Sequence, residues 1–463
     1  MNTVARSAAA LFLVMTFAGA ANSDDRITAA NHDYAPIKAR SQNDDLYLYV
    51  RYLIVPREAE TEINWEAALR FAIPSASLET NLNRQLPLKI ADGVYRIDLR
   101  GLGWKAADLI EVLKVQKYPY SHHANPLCIR GDWLIYQLSD QSESIAYPRL
   151  LFGANQPKNR DEWLQRLGVD RKEVERLELN HGLIETQSGV AVQSGSRGQK
   201  IRVLEFFDRL GGYASGTRDF LKVDADNSPL ERIDFKGLKH DGEEWIIGLP
   251  KFWYADREYG IAESGRGALQ YYFLAAGDGS IVAEAPLKLV EDHSKFKGVA
   301  SIRNPGSCVS CHIDGLNPPT RNGLKHWIES GVELKAKSYD ARQFAERFHL
   351  TGTAKVIERS NADFAETIVA ACGVKPAEAV GAYIALNDYY RSDVTLEIAA
   401  AELGATAEEL KLAIAYASEQ KIEVGGHLAS LAHGVPIGRF TFESLYLKTE
   451  AYLQAWRTAK GKK

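Results

Sequence analysis

Hydrophobic and polar positions divide the chain into three stretches with different periods. From Leu46 to Val55 the run LYLYVRYLIV is dense in tyrosine and β-branched residues and predicts a strand. From Val94 to Leu99 apolar and polar residues alternate, the period-two mark of a half-buried strand. Around these strands the spacing becomes helical at Asn64–Phe71 and along the amphipathic stretch Lys105–Val115. A helix at Asp161–Leu167, stopped by Gly168, opens the next stretch. Strand-like runs follow at Ile201–Phe207, Trp245–Leu249, Leu269–Leu274 and Ser280–Glu284. Gly277-Asp278-Gly279 predicts a hairpin turn between the last two, and the polar, glycine-bearing Ala255–Gly267 predicts an inserted loop. Towards the C-terminus the period is helical again. Thr395 is placed to cap a helix ending at Gly404, and Thr406-Ala-Glu-Glu409 is a capping box.

The expected fold class is α+β. A mixed N-terminal domain spans 40–150, a strand-rich middle domain 151–300 and a helical part 301–463.

The first residues carry Arg6, an apolar run from Ala8 to Phe17 and the small residues Ala18-Gly19-Ala20. Residues 1–20 therefore read as a cleaved signal peptide, which predicts export to a bacterial periplasm. The apolar run is short for a membrane anchor, the rival reading, and no later segment is long and apolar enough to span a bilayer. A net charge of −4 over 463 residues gives no basis for nucleic-acid binding or a strongly charged docking surface.

Half of the four cysteines fall in one short stretch, NPGSCVSCHIDG. Cys308, Cys311 and His312 form C-x-x-C-H, and in an exported chain this spacing has a definite chemistry. Two thiols one helical turn apart add to the vinyl groups of a haem, and the adjacent histidine becomes the proximal iron ligand. A disulfide across two intervening residues is strained. A thioredoxin-like centre needs a strand-to-helix setting that Asn304-Pro305-Gly306 does not suggest. A zinc site needs a second pair of ligands, and no partner C-x-x-C or H-x₃-H occurs. The expected cofactor is one covalent haem c, carried at the start of the helical part.

Both methionines, Met1 and Met15, lie in the signal peptide, so methionine ligation of the iron is excluded in the mature chain. The sixth position falls to a histidine, to another nitrogen or oxygen ligand, to water, or stays vacant. The other histidines are His32, His122, His123, His181, His240, His293, His326, His349, His427 and His433. The other cysteines, Cys128 and Cys372, are placed either to pair as a disulfide in an oxidising compartment or to remain as buried thiols. No G-x-S-x-G elbow, P-loop or H-E-x-x-H competes with the haem motif.

Read in order, YRIDLRGLGW (95–104), IRGDWLIY (129–136), LLFGANQPKNRDEWLQRLGVD, KHDGEEWIIGLP, ALQYYFLAAGDG, AEAPLKLVED, SCVSCHIDGL and VTLEIAAAELGA resemble a group of large exported bacterial cytochrome c domain-containing proteins with a single C-x-x-C-H and no settled activity. The resemblance covers roughly residues 45–415. It implies that His240, in the HDGGE-like element, is a haem-side residue and a candidate distal ligand. This chain departs from the group at Glu243 and in the inserted Lys251–Gly267.

The expected function is periplasmic electron transfer through one haem, to a redox partner or a small-molecule substrate. The rival functions are a haem enzyme with an open distal iron, in which Tyr254, Tyr259, Tyr271 and Tyr272 would take radical or acid–base roles, and a haem-based ligand sensor. The bland reading of these tyrosines is strand and core packing.

Overall fold

Alternation along the N-terminal strands builds a two-faced sheet. The structure, a computed structural model, describes residues 25–40, 46–52, most of 63–159, strands between 186 and 284, residues 296–315 and nearly all of 351–461. After α1 (Asp25–Arg40) come β1 (Tyr47–Arg51) and α2 (Trp65–Ser75), then the short α3 (Leu82–Gln85). Next are β2 (Leu88–Ala91), β3 (Val94–Asp98), the short α4 (Leu99–Leu102) and α5 (Ala106–Val115). β4 (His123–Ala124), β5 (Leu127–Arg130), α6 (Gly131–Leu138) and α7 (Ala146–Phe152) complete this part. The strands form one mixed sheet in the order β2-β3-β1-β5-β4, with β1 antiparallel to β3 and parallel to β5.

Leu48, Val50, Tyr95, Ile97, Leu127 and Ile129 face the main core. The intervening Tyr49, Val94 and Cys128 face a smaller cluster with Ile27, Ala30 and Tyr34 of α1. This is the period of two expected of a sheet buried on both sides. Helix α2 starts where Asn64 Oδ1 accepts the Ala67 amide at 3.0 Å, an N-cap that satisfies one otherwise orphaned donor.

Further along, β6 (Thr186–Val192), β7 (Lys200–Arg209) and β8 (Gly212–Lys222) form an antiparallel sheet, and β9 (Leu249–Trp253) pairs with β10 (Gly267–Tyr271). β11 (Leu274–Ala275) and β12 (Ile281–Val282) pair antiparallel, and the expected turn residues 277–279 lie outside the described residues. Of the expected helix at 161–167 only Glu162 is described, and it is helical, its amide donating to Asn159 Oδ1 at 2.9 Å. Nearly all of the expected loop at 255–267 and the expected signal peptide lie outside the described residues.

The helices that follow are α8 (Gly306–Cys311), α9 (Thr351–Cys372), α10 (Pro376–Arg391), α11 (Leu396–Glu402), α12 (Ala407–Glu419), α13 (Gly426–Ala432) and α14 (Arg439–Gly461). Thr395 caps α11, and Thr406 with Glu409 closes the capping box on α12, both at the positions the sequence predicts. The fold is α+β. Among the described residues the N-terminal sheet and the C-terminal helices share apolar contacts. A single apolar cluster runs from Leu48 to Tyr452 because α10 packs on α2 and α6. Among the described residues no single helix is long and apolar enough to cross a membrane. The end of α9 and α10 reach that threshold only together, bent by 63°.

Charges as well as apolar contacts cross this junction. Arg130, at the end of β5, pairs with Asp132 and meets Glu402 Oε2 at 2.7 Å. Glu402 also accepts from Arg439 Nη1 at 2.7 and 2.9 Å, and Arg439 Nε donates to the Tyr390 carbonyl at 2.9 Å. All of these charged side chains are withdrawn from water. Glu402→Gln would leave two buried guanidinium groups facing a neutral amide. The expected loss is about 3–5 kcal/mol, read as a lower urea midpoint; an unchanged midpoint contradicts this account of the junction.

Candidate functional site

Cys308, Cys311 and His312 are spaced i, i+3 and i+4, the cysteines within α8 and His312 as its C-cap. The His312 amide donates to the Cys308 carbonyl at 2.9 Å, so the helical bonding pattern reaches the residue after α8. Residues so spaced share one helix face. The Cys308 thiol is buried and lies 3.7 Å from Asn304 Oδ1, whereas Cys311 is exposed. The face therefore runs from the core to the surface within one turn.

His312 is half-buried. Its Nδ1 lies 3.1 Å from the Gly315 carbonyl, a contact that fixes the ring orientation and commits that nitrogen. Burial lowers its pKa, opposed by the Gly315 hydrogen bond, and favours the neutral imidazole that metal ligation needs. Gly315 has a φ of +99°, a conformation natural to glycine, and a Cβ there would collide with the Asn361 side chain.

The segment before the motif is anchored at several points to the turn after α6. The Gly306 amide donates to the Ser139 carbonyl at 2.9 Å, and the Gln141 amide donates to the Asn304 carbonyl at 2.8 Å. Ser139 Oγ in turn donates to Asn387 Oδ1 of α10 at 2.8 Å. Arg303 Nη1 binds Asp140 at 2.9 Å and also meets Glu143. On the other side of Gly306 stands the ring of Phe296, which stacks with Tyr383 of α10. Next to Phe296, Lys297 is 2% exposed, with its ammonium 3.6 Å from the centroid of Tyr136. Burial pushes that ammonium down to about 8, against the opposing attraction of Asp140 and Glu143.

None of these anchoring residues stands out in the sequence. Lys297 and Asp140 are far apart in the chain and carry no motif, and only the Asn304-Pro305-Gly306 run hints at a special backbone. Among the expected site residues, the structure brings Cys308, Cys311 and His312 together. His240 lies outside the described residues, as do His122, His181, His293, His326, His349, Tyr254, Tyr259 and Tyr272. His123 belongs to β4 and Tyr271 to β10 by their backbones, while His32, His427 and His433 are exposed.

Cys128 and Cys372 form no disulfide. Cys128 points into the cluster under α1 and Cys372 into the main core, so the pair is divided between opposite faces of the sheet. Burial raises the Cys372 thiol to about 12, which keeps it protonated and unreactive.

Among the described residues no group of three or more His, Cys, Asp or Glu side chains is arranged to hold a bare metal ion. No family model, no curated protein and no solved structure matches the chain.

Gly306 offers a direct test of the anchoring. A Cβ at this position would strike both the Phe296 ring and the Ser139 carbonyl. Gly306→Ala is expected to lower stability by about 1–3 kcal/mol, measured by denaturant unfolding. A variant as stable as the parent would show that the close approach is not needed.

Proposed function

We propose that this is an exported c-type haem protein holding one haem and passing electrons between partners in the periplasm. The reading rests on one observation, that two thiols on α8 and the imidazole of the residue that caps it stand within one turn, with the imidazole Nδ1 3.1 Å from the Gly315 carbonyl. The donor set fits a haem. Thiols at i and i+3 have the spacing that two vinyl groups require, and a neutral imidazole held through Nδ1 offers Nε2 to iron. Cys308 and Cys311 would hold the group through sulfur and His312 would ligate it. When bound, a haem supplies a one-electron couple, and the chain sets its orientation and surroundings.

The residues around the motif have consistent roles in this reading. Gly315 orients the His312 ring and raises the basicity of Nε2 through the Nδ1 hydrogen bond. The Ser139 and Gln141 contacts fix the motif on the N-terminal part of the core. Because no methionine follows the signal peptide, the sixth ligand is proposed to be a nitrogen ligand, with His240 the first candidate.

Absorption spectra of the purified protein, made together with a haem-attachment system, test the reading. The expected ferrous spectrum has thioether-type bands that carbon monoxide leaves unchanged, and His312→Ala should lose the native bands even where attachment survives. Bands that shift with carbon monoxide would move the assignment to a haem enzyme or a ligand sensor with an open iron. A colourless protein would contradict the haem reading altogether.

A further inference from the structure

Two cations and two carboxylates lie together beside the motif. Arg303 Nη1 holds Asp140 at 2.9 Å and Glu143 at 2.5 Å. Lys297 Nζ faces the same carboxylates from farther off, at 3.6 Å from Asp140 and 3.5 Å from Glu143. The groups facing Lys297 come from each packed segment. Tyr136 comes from α6, Asp140 and Glu143 from the turn that follows, Arg303 from the segment before α8, and Arg391 of α10 reaches Gly298.

The two cations differ in what they can release. A guanidinium keeps its proton in proteins, whereas a buried ammonium gives one up readily. Loss of the Lys297 proton still leaves both carboxylates paired with Arg303, so the cluster tolerates either state. Glu143 is partly exposed and gives the proton a route to water. Lys297 also has a φ of 54°, in a left-handed region that side-chain-bearing residues seldom occupy. Glycine or asparagine would suit that turn better, so the backbone does not explain why a lysine stands there.

We propose that Lys297 is the proton partner of the haem, taking up a proton when the iron is reduced and releasing it when the iron is oxidised. This rests on the haem reading above. One electron from an external one-electron donor takes ferric iron to ferrous. In the same cycle a neutral Lys297 amine takes one proton from water, forms an N–H bond and becomes the ammonium. Reoxidation returns the electron to the acceptor and the proton to solvent.

Electrostatics fixes the direction. A haem held by α8, the helix on which the Phe296–Gly298 segment packs, would lose one positive charge on reduction, and that loss favours the ammonium. Below the Lys297 titration in both redox states the amine is charged throughout and the potential is flat. Between the two titrations, reduction brings in a proton, so the potential falls as pH rises. The value of about 8 for Lys297 puts this window near neutral to mildly alkaline pH.

The test is a dye-mediated redox titration of the haem-loaded full-length chain, from about pH 6 to about pH 10, beside Lys297→Met and Lys297→Arg. The parent is expected to show the falling section, and both variants a flat one. Arg keeps the charge at every pH and should hold the higher potential, whereas Met should hold the lower one. Arg also preserves the charge balance if Met proves unstable. A falling section that survives in both variants, or one missing from the parent, overturns the role of Lys297 and leaves the haem reading standing. A chain without haem bands refutes the haem reading instead, and this proposal with it.

Discussion

Glu402 lies between Arg130 and Arg439 with all three side chains out of contact with water, and the N-terminal sheet and the C-terminal helices are joined at that meeting. Arg130 belongs to the N-terminal sheet, and Glu402 and Arg439 to the C-terminal helices. A buried ion ladder of this kind adds modest net stability relative to apolar packing, but it is very costly to leave incomplete. Its physical effect is to fix one register between two parts of the chain that are distant in sequence. Tyr446 adds to the constraint by donating its hydroxyl to the Glu402 carbonyl at 3.0 Å.

The cysteine motif is placed at the same junction. Ser139, at the end of α6, accepts the Gly306 amide through its carbonyl and donates its hydroxyl to Asn387 of α10. The α8 segment is thereby tied to both sides of the shared core. Phe296, wedged between Gly306 and Tyr383, fills the remaining space. A site built in this way forms only when the N-terminal sheet and the C-terminal helices have come together.

Much of the local structure was legible in the sequence because local chemistry decides it. The alternation in Val94–Asp98 became β3, and Thr406 with Glu409 capped α12 where a capping box should. The grouping of Cys308, Cys311 and His312 within one turn was legible for the same reason, since C-x-x-C-H is a short-range pattern. Long-range features were not. Lys297, Asp140 and Arg303 have no shared spacing and meet only through tertiary packing. The separation of residues 40–150 from 301–463 followed local periodicity, which does not reveal that α10 shares a core with α2. A pairing of Cys128 with Cys372 was open on cysteine count alone. It fails because period-two alternation turns Cys128 to the opposite face of the sheet from the main core.

The proposed covalent haem on Cys308 and Cys311, ligated by His312, has a distinct mass signature. Peptide mass spectrometry of the purified protein, produced with haem-attachment machinery, reads that signature. The peptide containing SCVSCH is expected to carry the mass of one haem, with neither of its thiols reacting with an alkylating reagent. An unmodified peptide with both thiols alkylated would contradict the proposal.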